Sequence, residues 1–575
     1  MPEQDATPAG MTIERDVPIR MRDGIELRAD IYRPEGDAPV PVILTMGPYG
    51  KGLPYQTAHY APLWKWLVET HPEVLDGSSG RFMTWETVDP ERWVPAGYAC
   101  VRVDSRGAGR SPGILEVWSP PETQDFYEVI EWAGTQPWTT GKVGLCGISY
   151  YAMNQWWVAG LQPPHLAAMI PWEGANDYFR EISHHGGILS NVFFGKSWYE
   201  RQVLSMQHGR PGLHDPFLDD SVNGPENLAD EQLLANRVDT PAENRRHGLD
   251  DEWNRARSAD FSKIRTPFIS AASWAGFGLH QRGNFEGFTE SAAEQKWLEV
   301  HPGRHEEWFY LPYALDLQRR FLDHFLKGED NGWDREPRVM LQIRYSDRHF
   351  ELRKENEWPL ERTRWTNVHL DAASRRLSWE PVAASQTSFE ALGEPAAFWS
   401  DPLEYETEIT GPLAARLAIA SSTTDADLFV TFLAYDPAGV EVEFQGTVDP
   451  HTPLAQGWLR ASHREIDPNR SKPWRPYHPH TSVQPLDPGQ VYHVEVEIWP
   501  TCIVLPPGSR LALSIGGRDF ERPGGDQHPV FPSKGSGPFL HDDPQDRTPE
   551  VFGGTTTIYG GGEHASHLLL PMIDR

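Results

Sequence analysis

Four apolar runs in the first third of the chain alternate with stretches of helical periodicity, and that alternation limits the fold more than any other feature. The runs are residues 41–46, 97–104, 142–147 and 166–171. Each is a near-continuous apolar stretch of strand length, as expected for a strand covered on both faces. Between them, Phe126, Val129, Ile130 and Ala133 share one helical face, with Gly134 as a stop. Met153, Trp157 and Leu161 share another face further on. Such strands alternating with helices predict a mostly parallel sheet with helices packed on it. A hairpin over residues 12–33, turning at Asp23-Gly24, precedes it.

The alternation breaks at about residue 176. Residues 176–259 are polar, rich in Asn, His, Arg and Asp, and read as a helical insertion over the sheet. Residues 266–271 and 296–300 resume the strands, and residues 315–326 carry an apolar helical face ended by Gly328. Beyond Pro337 short alternating runs recur between Gly, Pro and Asp, which predicts an all-β sandwich or jelly roll. The expected organisation is a core over 1–175 and 260–335, a cap over 176–259, and a C-terminal β domain over 336–575.

Composition excludes several functions. Lys and Arg total 52 against 82 Asp and Glu, a net charge of −30. That surface repels phosphate backbones and anionic membranes, so no nucleic-acid or membrane partner is expected. No apolar run approaches the ~18 residues of a spanning helix. The first ten residues lack the basic and apolar regions of a secretory signal and read as a polar tail. Cys100, Cys146 and Cys502 are too few and too far apart for a disulfide framework or a four-thiolate zinc site. Buried inert thiols in a reducing cytoplasm are the expectation. His184-His185 and the trio His478, His480 and His493 lack ligand spacing, so no metal or other cofactor is expected. The loop Gly107-Ala108-Gly109 has no Walker lysine and is read as a loop-shaping element.

Chemistry concentrates at Gly147-Ile148-Ser149-Tyr150-Tyr151, where a strand ends and a helix opens. A sharp strand–turn–helix exposes a serine oxygen, and the helix N-terminus offers free N–H groups to an oxyanion. Tyr151 stands where the general G-x-S-x-G pattern has its second glycine.

This segment, Gly-Ile-Ser-Tyr-Tyr-Ala, resembles the serine site of the cocaine esterase / X-Pro dipeptidyl-peptidase (peptidase S15, CocE/NonD) group. Other pieces carry the resemblance along almost the whole chain: Met21-Arg22-Asp23-Gly24, Gly47-Pro48-Tyr49-Gly50-Lys51 and the run Asp104-Ser105-Arg106-Gly107-Ala108-Gly109-Arg110-Ser111. A Phe-Leu-Lys-Gly helix end and Gly457-Trp458-Leu459-Arg460-Ala461-Ser462 complete it. The resemblance implies an α/β-hydrolase core, an inserted helical cap and a C-terminal, galactose-binding-like jelly roll. It also implies an oxyanion hole from the Tyr49 hydroxyl and the Tyr150 N–H.

In this fold the chain order is serine, acid, histidine. His301 closes a strand, and the resemblance gives it the histidine position; His305, four residues on, is the rival. The family's acid, in a Trp-x-Asp segment, falls here on Gly276 within Ser273-Trp274-Ala275-Gly276. A triad without its acid loses roughly 10⁴ in kcat, so another carboxylate is needed. Glu173, following the strand 166–171, is the first choice, an arrangement similar to some lipases with the acid one strand early. Asp177 is second and Glu286 third.

Trp172, Trp274 and Tyr178, with Trp156, Trp157 and Phe179, are candidates for an apolar acyl pocket. Asp219, Asp220 and Glu226 in the cap are the acidic groups that a peptide ammonium would need. The expected function is a cytoplasmic serine hydrolase acting on small esters or short X-Pro peptide amides through an acyl-enzyme on Ser149. The alternative is a binding protein that has lost catalysis and holds a ligand such as carbohydrate on its jelly roll.

Overall fold

The computed structural model describes residues 7–522 and 533–574; the outermost part of the polar N-terminal stretch, residues 1–6, lies outside them. Its first sheet has ten strands: β1 (Met11–Arg20), β2 (Glu26–Pro34), β3 (Val40–Gly47), β4 (Ala99–Asp104), β5 (Thr139–Ile148), β6 (Leu166–Trp172), β7 (Phe268–Ser273), β8 (Lys296–His301), β9 (Val339–Arg344) and β10 (Phe350–Glu355). Their spatial order is β1-β2-β4-β3-β5-β6-β7-β8-β9-β10. The run from β4 to β9 is parallel, flanked by antiparallel neighbours at each end. The strand order reverses between β3 and β5. Ligands of open parallel sheets lie at such a switch point, beyond the strands' carboxyl ends. Tyr49 follows β3 and Ser149 follows β5.

Helices α1 (Pro120–Gly134), α2 (Tyr150–Ala159), α3 (Arg282–Glu290) and α4 (Pro312–Leu322) pack on this sheet. Ser119 caps α1 by accepting the Glu122 N–H. After α4 the chain winds one more turn and stops at Gly328, whose φ of 73° only glycine adopts freely.

The motifs that carried the family resemblance mostly tie loops to the sheet edge. Asp104 accepts the backbone N–H groups of Lys51 (2.7 Å) and Arg110 (2.9 Å). Arg106 binds Asp23 and Asp125 at 2.7 Å each. A Cβ at Gly109 would lie 2.3 Å from the Asp104 carboxylate, so this glycine lets the loop close on it.

The insertion is a set of short helical segments, the longest Val192–Val203, with a small hairpin at residues 184–189. The hairpin touches the C-terminal domain. The Arg460 N–H donates to the Gly186 carbonyl at 2.8 Å, and the His185 ring lies 4.8 Å from that of Trp458.

The C-terminal sheet has eleven strands. Its longest, Thr407–Ser421, pairs with Tyr492–Leu505 and also with His567–Ile573. His567–Ile573 in turn pairs with Thr363–Asp371 at the far end of the order, which closes the sheet on itself. The C-terminal domain was expected from residue 336, and its first two strands pair with the other sheet. Residues 339–355 form β9 and β10 and extend the first sheet, and the closed sheet begins only at Thr363. Val339–Arg344 reads as an alternating run in sequence, yet every residue of it is buried, as a strand inside a parallel sheet must be.

Candidate active site

Ser149 stands between β5 and α2 with φ 55° and ψ −114°. Its N–H donates to the Trp172 carbonyl at 3.0 Å, fixing the turn to the end of the neighbouring strand β6. A side chain at Gly147 would meet the Tyr151 Cβ at 2.6 Å, which explains the glycine before the turn. Tyr151 is accommodated because its ring covers Gly47, where a Cβ would be only 2.7 Å away. The partner position is glycine on another strand rather than on the helix.

Eleven described non-glycine residues have positive φ, and four of them are Glu86, Trp118, Ser149 and Glu173. Ser149, Glu86 and Trp118 line one small cavity of about 30 Å³. Glu173 lies immediately behind it. Left-handed backbone of this kind costs about 1–3 kcal/mol per residue and concentrates at functional sites. The cavity is otherwise walled by Tyr49, Trp85, Phe193, Trp198, His280 and His305, with Phe539 from the C-terminal domain.

The two candidate histidines have different places. His301 ends β8 and is wholly buried, its Nδ1 2.6 Å from Glu299 and its Nε2 3.0 Å from Glu173. The Trp172 ring stacks on it at 4.8 Å. It does not line the Ser149 cavity. His305 does. Its Nδ1 lies 2.7 Å from the second oxygen of Glu173, and its Nε2 lies 3.0 Å from Glu86. Carboxylates and imidazoles thus alternate in one buried chain: Glu299, His301, Glu173, His305, Glu86.

Electrostatics follow from that alternation. Burial opposes ionisation of Glu173, but the charge of His305 and hydrogen bonds from both histidines outweigh it and bring its pKa down to about 2. Burial works against a charged His305 as well. The charge of Glu173 and hydrogen bonds to Glu173 and Glu86 prevail and raise its pKa to about 10. His301 is raised to about 9, with burial again opposed, chiefly by the charge of Glu299. Glu86 moves upward because burial exceeds the pull of His305.

The Tyr49 ring packs edge-on against Tyr150 at 5.7 Å, and its hydroxyl accepts the Trp198 indole N–H at 2.8 Å. Burial and the nearby Glu86 charge push the phenol pKa well up, so the hydroxyl stays a donor. The Tyr150 side chain is occupied elsewhere, donating to Glu122 at 2.7 Å. Its N–H opens α2, where a helix has no internal partner to offer.

The other candidate acids are engaged elsewhere. Asp177 pairs with Arg180 at 2.9 Å, and Glu286 pairs with Arg475. A Cβ at Gly276 would lie 3.0 Å from that of His280 and 3.1 Å from its carbonyl, so an acid there would crowd the backbone that carries the ring stacked at 4.5 Å on His305.

The expected acyl pocket is corrected. Trp172 stacks on His301, Trp274 donates its indole N–H to the Gln342 carbonyl, and Tyr178 donates to Asn244. All three are core residues, and none lines the Ser149 cavity. Sequence reasoning missed the actual walls, Trp85, Glu86, Trp118, Phe193, Trp198 and Phe539. They come from loops, the insertion and the C-terminal domain, and periodicity carries no signal for such positions. The three cysteines are free and buried. No described helix is long and apolar enough to cross a membrane.

Comparison with known proteins places this geometry. Residues 23–307 match the model of the X-Pro dipeptidyl-peptidase (S15 family), and residues 331–569 match that of the X-Pro dipeptidyl-peptidase C-terminal non-catalytic domain. A CocE/NonD family hydrolase from Staphylococcus aureus superposes with a TM-score of 0.83 at 31% identity, covering 98% of this chain and 94% of that one. The cocaine esterase of a Rhodococcus species is 23% identical over 98% of this chain and 99% of its own length. The Xaa-Pro dipeptidyl-peptidase of Lacticaseibacillus casei is 23% identical over 86% of this chain and 71% of its own.

Proposed function

The chain belongs to the peptidase S15 (CocE/NonD) family of serine hydrolases, and from that premise we propose that it cleaves small carboxylic esters or short peptide amides through an acyl-enzyme on Ser149. One observation carries the reading: Ser149 shares its cavity with His305, whose other ring nitrogen is held by Glu173. The base in this reading is His305 rather than His301, because only the former reaches the cavity. Glu173 is the acid, from the end of β6, in place of the family's position at Gly276.

In the first step the Ser149 O–H bond breaks, its proton passes to Nε2 of neutral His305, and Oγ bonds to the carbonyl carbon. Glu173 stabilises the imidazolium through Nδ1. The Tyr49 hydroxyl and the Tyr150 N–H hold the oxyanion. His305 returns the proton to the leaving group, and water repeats the sequence on the acyl-enzyme.

A cavity of about 30 Å³ holds one or two waters, so substrate entry requires the helical segment 192–203 to yield. Its Phe194 also borders a cavity of about 360 Å³. The aromatic walls suit an apolar acyl group. Asp219, Asp220 and Glu226 are not among the cavity walls. The closed C-terminal sheet is read as a galactose-binding-like jelly roll, and its Phe539 closes the site. The buried free thiols accord with a cytoplasmic protein. The alternative of a carbohydrate-binding protein without catalysis gains no support from the relatives.

The test is labelling with a small fluorophosphonate, followed by peptide mass spectrometry. A stoichiometric adduct on Ser149, lost in Ser149→Ala together with aryl-ester hydrolysis, is the expected result. Equal hydrolysis by both proteins would refute the mechanism.

A further inference from the structure

One carboxylate on the cavity wall has no role in the triad. Glu86 lies in the loop between β3 and β4, and its backbone is fastened to the nucleophile's strand. The Ile148 N–H donates to the Glu86 carbonyl at 3.0 Å, and Thr87 bridges to Gly147. With φ 64° the residue is held in a conformation that a side chain rarely adopts. Its Oε1 lies 3.0 Å from Nε2 of His305, and the Ser149 hydroxyl is close enough to favour the ionised carboxylate. Its Oε2 is buried without a hydrogen-bond partner of good geometry.

Nε2 is the nitrogen that must receive the serine proton, because Nδ1 is already taken by Glu173. We propose that Glu86 is a positioning residue for the base: it holds the Nε2 edge of His305 in the resting site and sets the pH above which that edge can accept the Ser149 proton. This rests on the assignment of Ser149, His305 and Glu173 above.

The groups around the pair leave few other causes. From the end of β6, Glu173 faces His305. From the β8 loop come Arg304, Glu306 and, through Glu173, His301. From the loop after β7, His280 stacks on His305, and burial keeps it neutral. Around Glu86 stand the phenols of Tyr49, Tyr55, Tyr60, Tyr151 and Tyr310, all pushed upward by burial. His305 is the cation hydrogen-bonded to Glu86. While Glu86 is charged, a proton on Nε2 is stabilised and the lone pair needed for attack is absent. Raising the pH removes that proton, and Oγ–H can then break with its proton passing to Nε2. Glu86 and His305 titrate as a pair. Neutralising Glu86 lets His305 lose its proton at lower pH.

The experiment is the profile of kcat/KM on a small aryl ester from about pH 5 to about pH 11. It compares wild type, Glu86→Gln and Glu86→Ala, with the rate of fluorophosphonate labelling at Ser149 as a second readout. The amide keeps the shape without the charge, and alanine removes both. In both variants the acid limb moves down by about one pH unit or more, a relative gain of about tenfold below the wild-type midpoint. A drop by the same factor at every pH would show a merely structural role and overturn the proposal. An unmoved midpoint on normally labelled enzyme would overturn it alone. Wild-type protein without a Ser149 label would remove the triad assignment and this proposal with it.

Discussion

His301 and His305 are four residues apart and bonded almost alike, yet their surroundings differ. Each imidazole bridges two buried carboxylates, and both are raised above the ordinary histidine range, to about 9 and about 10. They even share Glu173, one oxygen each. The difference lies in what stands beyond the ring. Trp172 covers His301, while His305 opens on the cavity that holds Ser149. Bonding pattern and pKa therefore do not identify a base; access to the nucleophile does. In the proposed mechanism His301 is a support that orients Glu173 from behind.

The sharpest way to break this comparison is to remove each ring. His305→Ala lowers kcat on an aryl ester by roughly 10⁵–10⁶, the scale for losing a triad's base. His301→Ala loses far less per folded molecule, counted by active-site titration. Equal losses would return the base to the strand end. Glu173→Gln comes next, with a fall of roughly 10⁴ in kcat, or about 5 kcal/mol of transition-state stabilisation. Adding Gly276→Asp to that variant does not restore the rate, since the new side chain would press on His280. Recovery would put the acid back at the family's usual position.

The parallel sheet, the elbow and the insertion were legible because burial on both faces and the strand–turn–helix junction leave local patterns. Ser149 and Glu173 were proposed from strand ends, where a parallel sheet delivers its functional side chains. The same rule favoured His301 over His305. A histidine on a strand end can be sealed by a neighbour, here Trp172, and no local pattern reveals that. Glu86 was not singled out at all, as it lies in a loop whose path across the strand ends depends on pairing with Gly147. Trp274 read as a wall and proved to be core, because its indole turns to Gln342. The pairing of β9 and β10 with the first sheet was not legible, because short alternating runs do not say which sheet they join.

The supporting role of His301 predicts a stability signature. His301→Ala leaves Glu299 and Glu173 each short of a partner, at a cost of about 3–5 kcal/mol, the scale for breaking a buried pair. Urea unfolding at neutral pH measures it. The folded protein holds the His301 proton to about pH 9, whereas an unfolded histidine releases it near about 6.5. The contribution is therefore fully present below the lower value and fades as pH rises through the upper one. The difference in stability between wild type and variant should shrink across that interval. A gap constant with pH would mean that His301 is neutral in the fold and packs without charge.

Access can be altered without touching any charged group, and this is the smallest effect. Phe194 lies between the Ser149 cavity and the cavity of about 360 Å³. It is 2% exposed and packs edge-on against Trp118 and Trp198. Phe194→Ala joins the two spaces. Deleting a buried phenylalanine costs about 3–5 kcal/mol of stability, so rates must be taken on titrated, folded enzyme. One or two added methylenes in an acyl chain are worth about 1–3 kcal/mol in an apolar pocket. The variant should therefore gain in kcat/KM for longer acyl esters relative to acetyl esters, by about tenfold at most. If acyl-length preference is unchanged, the acyl group does not point toward the insertion, and the wall formed by Leu279, Val448 and Phe539 becomes the side to open next.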